Sequence, residues 1–304
     1  MRRMLLTLLL APGLAAAQGL DLSQGGPVDI TAENGIEWRQ NEQVVLARGN
    51  ARALRDGTTV EAQRLLARYR PAAAAGAVAP AQPGETPLSG GNEIWRMEAE
   101  GSVRIFTATD TATGDRGVYD MDQAVLVMTG RNLSYVTPQQ TINARDSLEY
   151  WSQRRMAVAR GNAVVVTNDG RRITADTLVA YMLEDPGTGQ PAAGRPGVAQ
   201  ARPGTEGTAA PPPGQGRIDR IELFGNVEIR TATEVVRGER GVYSAGTGLA
   251  RLLGNVRITR GNNQVNGREA LVNMNTGVSR IVSAPGARVQ GLIVPERGQQ
   301  AAPR

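Results

Sequence analysis

The sequence has 304 residues and contains no cysteine, histidine or lysine, so all 34 of its basic side chains are arginine. These absences exclude thiol nucleophiles, histidine-dependent triads, His- or Cys-based metal sites and lysine-dependent phosphate loops. The net charge of +5 favours anionic partners, although solubility alone also explains it. Because only 4% of the residues are aromatic, Val, Ile, Leu and Ala must supply the core.

The N-terminus has the pattern of a secretory signal peptide. Two arginines precede the apolar run Met4–Leu10, and a small-residue cleavage pattern, Ala15-x-Ala17, follows. The apolar run is shorter than the ~20 residues needed to span a bilayer. We therefore expect a signal peptide over residues 1–17 that is removed on export, and a mature chain that begins near Gln18.

A glycine motif recurs with a period of about thirty residues. The clearest copies are "LFGNVEIRT" at Leu223–Thr231 and "LLGNVRITR" at Leu252–Arg260. Further copies surround Gly49, Gly101, Gly130 and Gly161. Two longer intervals contain Pro/Ala/Gly-rich inserts, residues 71–91 and 184–216, which cannot bury a core and are expected to be disordered.

A second motif lies between the glycines and typically ends in tyrosine, as in "INARDSLEYW" and "VRGERGVYS". Acidic residues recur in it about once per repeat, among them Glu33, Asp176, Glu239 and Glu269. This spacing is typical of ladder or turn residues and not of the paired carboxylates of a polysaccharide-active enzyme. We therefore expect no catalytic residues, and an enzyme on a β-solenoid is the less favoured alternative.

Apolar and polar residues alternate on both sides of each glycine, which predicts half-buried β-strands. The glycine belongs to the inward row, where it allows a bend or a close approach of the opposite wall. A phosphate-binding loop is disfavoured because no helix follows the glycine. The expected inward wall positions are Val103, Ile105, Leu223, Val227, Ile229, Leu252, Val256 and Ile258.

About 14–18 short antiparallel strands with one apolar face predict an all-β fold, a β-jellyroll or solenoid-like sandwich that is open at both ends. Many inward positions hold Ala or Gly, for example Ala47, Ala51 and Ala53. Such small residues suit an apolar trough that a ligand fills, and they equally suit a narrow, fully packed sandwich. The sequence leaves both interpretations open.

The order of these motifs behind a signal peptide resembles the LptA, or organic-solvent-tolerance-like, family of periplasmic lipopolysaccharide export bridge proteins. The opening "GGPVDITAENGIEW" is similar to the first strand of that family, and "ARVQGLIVP" (Ala287–Pro295) is similar to its closing strand. The resemblance covers most of residues 27–295 apart from the two inserts. The chain is longer than a typical member.

This resemblance implies a single V-shaped β-jellyroll over residues 27–295, followed by a disordered tail over 296–304. It implies a periplasmic carrier, without cofactor or metal, that binds lipopolysaccharide acyl chains in an apolar groove and passes them from inner to outer membrane. The implied partners are lipopolysaccharide, homologous β-jellyroll domains of the membrane export components, and further copies joined head to tail; nucleic acid is not expected. The resemblance adds Val28, Ile30, Val289 and Ile293 as lipid-facing or junction positions.

Two further expectations concern charge and anchoring. Arg104, Arg230 and Arg257 are candidates for contacts with lipid phosphates at a rim, although ordinary solvated edge residues fit equally well. A membrane-associated, LptC-like partner of the same export machine is the alternative function. An uncleaved N-terminal helix would favour that alternative, and the "AAAQ" cleavage pattern argues against it.

Overall fold

The computed structural model describes residues 28–55, 57–71, 92–183, 218–283, 286 and 288–293. These residues form eighteen β-strands and one short 3-10 helix, Gln40–Glu42, which agrees with the expected all-β class and strand number. The strands are β1 (Asp29–Thr31), β2 (Ile36–Arg39), β3 (Val44–Arg55), β4 (Thr58–Pro71), β5 (Asn92–Phe106), β6 (Thr111–Asp120), β7 (Val125–Thr129), β8 (Leu133–Val136), β9 (Gln140–Ala144), β10 (Ser147–Trp151), β11 (Met156–Thr167), β12 (Arg172–Met182), β13 (Ile218–Arg230), β14 (Val235–Ser244), β15 (Leu249–Arg260), β16 (Asn263–Asn273), β17 (Val278–Val282) and β18 (Gln290–Leu292).

The predicted signal peptide and C-terminal tail lie outside the described residues. The same holds for nearly all of the two inserts, except that Pro71 is the last residue of β4 and not the first of a loop. Each insert interval therefore separates two consecutive long strands that still pair directly, β4 with β5 and β12 with β13.

The motif glycines bend the long strands. Gly225 and Asn226 both have positive φ, 73° and 48°, and the register with β14 shifts between Phe224 and Val227. Such a β-bulge inserts an extra residue into one strand and turns it sharply. The same pair of positive φ angles occurs at Gly49–Asn50, Gly101–Ser102, Gly161–Asn162 and Gly254–Asn255.

The reason for glycine differs in one respect from the sequence expectation. A Cβ placed on Gly225 would overlap the carboxylate of Asp176 on the neighbouring strand β12, and not a residue of the opposite wall. Gly161 and Gly254 face Asp146 and Glu239 in the same way. The acidic residue of the second motif therefore occupies the space that the missing glycine side chain leaves free.

The bends divide the sheet into two layers. The first layer consists of β2, β7, β10 and β17 and the halves of the long strands that pair with them. The second layer consists of β1, β8, β9 and β18 and the remaining halves. Apolar side chains from both layers pack together in the core. The hairpin turns of both layers lie at the edge opposite the bends, which we call the mouth.

Short strands replace the long bent ones in the middle and at both ends. In the middle, β7 pairs with β10 and β8 with β9, which joins the N-terminal half (28–136) to the C-terminal half (140–293). At Gly130 the long strand of the repeat is divided into β7 and β8, and the copy "MTGRNLS" carries Asn132 there in place of an apolar residue. Within the described residues, β1 and β2 pair only with β3, and β17 and β18 only with β16.

Candidate functional site

The predicted wall residues form the apolar interior between the two layers. Leu223 and Leu252 are fully buried in the first layer, because alternate residues of a strand point to one face. The other buried wall residues lie in the second layer: Val103, Ile105, Val227, Ile229, Val256 and Ile258. All eight of these predicted positions therefore face inward, which is where a ligand between the layers would contact them.

The four positions taken from the closing and opening strands are more exposed. Val28 and Ile30 are half-buried and pack against the N-terminal core. Val289 and Ile293 flank β18 and are 43% and 76% exposed, so they do not belong to the interior of the single chain. They lie at the C-terminal edge, where only the second-layer half of β16 pairs with β18.

The interior consists of two apolar cores in series. The N-terminal core extends from Ala47 to Leu133 and the C-terminal core from Ala159 to Val272. Leu148 of β10 packs against both cores, so the two meet at the pairing of β7 with β10. A continuous apolar path therefore runs along the sandwich from one half to the other.

The described interior is nearly filled. A small apolar cavity of about 30 Å³ lies in the N-terminal core, between Ala47, Ala53, Leu65, Ile105 and Tyr119. That volume holds only about one or two water molecules and is roughly a tenth of an ordinary small-molecule pocket. Of the two interpretations that the sequence left open, the packed sandwich describes this conformation, and an acyl chain enters only if the layers separate.

The recurring acidic residues stabilise the bends. Asn226 Nδ2 donates to Asp176 Oδ2 at 2.9 Å, and the Asn50 side chain donates in the same way to Glu33. Asn255 likewise donates to Glu239. Glu269 accepts two hydrogen bonds from Arg251, at 2.7 and 3.0 Å. The Gly-Asn motif of one strand and the acidic motif of the neighbouring strand therefore contact each other.

Of the three arginines considered for the rim, two lie elsewhere. Arg104 forms an ion pair with Glu61 on the outer face of the second layer, and its guanidinium lies 4.2 Å from the Phe106 ring centroid. Arg230 pairs with Glu228 at 2.9 Å, also on the outer face. Arg257 has outward parity and is exposed. The prediction of a rim position was wrong for Arg104 and Arg257, because both lie in the middle of a strand half and point away from the interior.

The residues at the mouth were not singled out from the sequence. The turn between β5 and β6 carries Asp110, and the turn between β13 and β14 carries Glu234; both carboxylates are buried. Tyr135 donates to Asp110 at 3.2 Å, and burial together with that carboxylate raises the pKa of Tyr135 far above its usual value. The repeated turn sequences "TATD" and "TATE" were the available signal.

No group of three or more metal-ligating side chains occurs among the described residues. In the same part of the chain, no helix is long and apolar enough to cross a bilayer.

Comparison with known proteins gives one family match. The family described as "LptA/(LptD N-terminal domain) LPS transport protein" matches the chain twice, at residues 29–150 and 141–278. The first stretch contains the N-terminal core and the second contains the C-terminal core.

Two individual proteins are similar to parts of the chain. An uncharacterized protein of Rhizobium meliloti (strain 1021) is 26% identical over 116 residues, which are 38% of this chain and 56% of that protein. The chain thus spans about half the length of the curated relative that it matches. The crystal structure of LptH from Pseudomonas aeruginosa, described as the LptA homologous periplasmic component of the lipopolysaccharide transport device, has a TM-score of 0.36 and 15% identity, and covers 51% of this chain and 95% of that chain.

Proposed function

The chain belongs to the LptA/(LptD N-terminal domain) family of LPS transport proteins, and we propose that it carries lipopolysaccharide acyl chains between its two β layers across the periplasm. The observation that carries this proposal is the apolar path through both cores, which meet at Leu148. Each CH₂ group of an acyl chain costs about 0.8 kcal/mol in water, so an aqueous gap is a barrier that such a path removes. No covalent step is required of the protein.

Loading requires the two layers to separate, because the interior is nearly filled without a ligand. Separation alone would expose the apolar walls to water. Acyl chains inserted between the layers would keep those walls in apolar contact, so the free-energy cost of opening is largely offset only when lipid is present.

The lipid contacts are testable by site-specific photo-crosslinking in cells. A crosslinking amino acid at Ile258 or Val227, which face inward, is expected to capture lipopolysaccharide, and so is one at Ile30. The matched controls are Arg257 and Asn226, each adjacent in sequence to a wall residue but exposed. Equal capture from inward and outward positions, or no capture from either, would contradict lipid passage between the layers.

We also propose that copies of the chain, or homologous domains of the membrane components, join end to end. The edge strands β2 and β17 each leave one side of the backbone unpaired within the described residues. The internal junction supplies the geometry: there Leu148 of β10 pairs with Met128 of β7. Counted from the pairing with the neighbouring inner strand, Ile36 occupies in β2 the position that Leu148 occupies in β10. Counted in the same way, Ile281 occupies in β17 the position that Met128 occupies in β7.

Ile36 of one copy is therefore expected to lie opposite Ile281 of the next copy. The chain has no cysteine, so the variant I36C/I281C carries only the two designed thiols. Mild oxidation should yield a ladder of disulfide-linked oligomers on a non-reducing gel, whereas a mixture of the two single variants should stop at the dimer. The control I36C/V278C places the second thiol three residues out of register, and an equally strong ladder from it would contradict this pairing.

The expected signal peptide and periplasmic location extend the proposal. Export with cleavage after Ala17 would leave Gln18 at the N-terminus of the mature chain. N-terminal sequencing of the protein from a periplasmic fraction is expected to begin at or near that residue. Recovery of the intact N-terminus in a membrane fraction would instead favour the membrane-associated alternative.

A further inference from the structure

A polar cluster connects the two layers across the mouth of the C-terminal half. Glu234 lies in the second-layer turn between β13 and β14 and is only 5% exposed. Its Oε2 accepts a hydrogen bond from Arg260 Nη2 at 2.8 Å, and its Oε1 accepts one from Ser279 Oγ at 2.8 Å. Ser279 belongs to β17, the terminal strand of the first layer, so the carboxylate bridges the opening instead of lying along one layer.

Arg260 strengthens the same connection. Besides its ion pair with Glu234, the guanidinium approaches the carbonyl oxygen of Gly277, directly before β17, at 3.4 Å. Both carboxylate oxygens of a nearly buried charge are therefore satisfied only while β17 lies over the turn. Moving β17 away would leave the carboxylate with Arg260 alone, and losing a hydrogen bond to a charged group is costly.

A second pair of residues faces across the mouth in the same half. Arg171 lies in the second-layer turn between β11 and β12, and Tyr243 lies in the inward row of the first layer. Asp169 and, more weakly, the Tyr243 hydroxyl raise the pKa of the Arg171 guanidinium above its usual value. A first-layer side chain therefore also influences a second-layer turn at this mouth, while the bridging hydrogen bonds are those of Glu234 and Arg260.

The matching turn of the N-terminal half is built alike, but the hydrogen bond to its carboxylate comes from its own layer. In both turns a threonine, Thr107 or Thr231, accepts backbone hydrogen bonds through its hydroxyl, and the acidic residue closes the turn. Asp110, 8% exposed, accepts its hydrogen bond from Tyr135 of β8, which belongs to the same layer. The two turns therefore form a natural pair of test and control.

We propose that the cluster of Glu234, Arg260 and Ser279 is a latch that keeps the C-terminal mouth closed between lipid transfers. Opening the latch frees β17 from the second layer and lets the layers separate over the C-terminal core. This inference rests on the proposed function for its purpose, but the latch itself is a property of the lipid-free chain. It acts where the last strands of the chain meet the next domain.

The latch is tested without lipid in the full mature chain. Ser279→Ala removes only the hydrogen bond from β17 to Glu234, and Glu234→Ala removes the carboxylate that both Ser279 and Arg260 contact. Both are expected to speed hydrogen exchange of the β17 amides about tenfold or more. Losing one hydrogen bond to a charged group shifts the equilibrium between the closed and opened strand by at least that factor. Nitroxide labels at T233C and T276C, both exposed turn positions, should report a longer and broader distance across the mouth.

Asp110→Ala is the matched control, since it removes a similarly buried carboxylate from the same kind of turn. It is expected to leave both the β17 exchange rates and the mouth distance unchanged. If the Ser279→Ala and Glu234→Ala variants fold, as judged by circular dichroism, and behave like Asp110→Ala, the latch does not exist.

A chemical crosslink across the mouth tests the latch and the proposed function separately. In E234C/S279C, a short bis-maleimide should hold the mouth closed and reduce lipopolysaccharide capture at Ile258 severalfold, while capture at Ile30 persists. Undiminished capture at Ile258 in the linked protein would overturn the latch. A chain whose mouth opens in Glu234→Ala, but whose unlinked form captures no lipopolysaccharide anywhere, would retain the latch and refute lipid carriage.

Discussion

Replacing Gly225 with alanine is expected to destabilise the fold by about 3 kcal/mol or more. A positive φ of 73° alone costs a residue with a Cβ roughly 1–2 kcal/mol. The new methyl group would also overlap the Asp176 carboxylate and displace it from Asn226, which donates to it at 2.9 Å. Chemical denaturation of the purified chain, followed by circular dichroism, measures the loss.

Gly170→Ala is the control for this substitution. Gly170 has a similar φ of 81° but nothing lies within 4 Å of the position of an added Cβ. It should therefore lose only the conformational part, about 1–2 kcal/mol. Equal losses for the two variants would show that the contact between the glycine and the acidic residue contributes nothing beyond backbone strain.

Leu252→Asp is expected to unfold the C-terminal half. Leu252 is fully buried in the C-terminal core. Placing an unpaired carboxylate there should lower the free energy of unfolding by more than about 4–5 kcal/mol, the loss that marks the most damaging substitutions. The three tryptophans, Trp38, Trp95 and Trp151, all precede or lie within β10. Tryptophan fluorescence therefore follows the N-terminal half and its junction, while circular dichroism follows both halves, and the two denaturation curves should separate in this variant.

The matched control is Leu271→Asp on the adjacent strand β16. Leu271 lies on the outer face and is 39% exposed, so an added charge remains hydrated and should change stability by less than about 1 kcal/mol. A similarly small effect of Leu252→Asp would mean that the inward row does not form a dry core.

The repeat made much of the fold predictable. Alternation around each glycine placed residues such as Val227 and Ile258 on the inward face, because a strand has a period of two. The break at "MTGRNLS" was also visible, since Asn132 occupies an apolar position. The contact between Gly225 and Asp176 was not predictable. It joins residues 49 positions apart and depends on the register between β12 and β13, which the alternation along each strand does not reveal.

The candidate site was only partly predictable. Periodicity gave the walls but not the distance between them, and so it could not decide whether the interior is open or packed. The mouth was missed for a related reason: Glu234 and Ser279 are 45 residues apart and belong to different layers. Only the folded arrangement brings that carboxylate and that hydroxyl together.

The pairing of β7 with β10 has a consequence for concentration. Because both strands belong to one polypeptide, the join between the two cores is intramolecular and does not weaken on dilution. Any pairing of β17 with β2 of another copy, by contrast, obeys mass action and dissociates as the protein becomes scarce. At low protein concentration the chains would keep every internal join and lose the external ones first. The span of the two cores is therefore the length of apolar path that persists at any protein concentration.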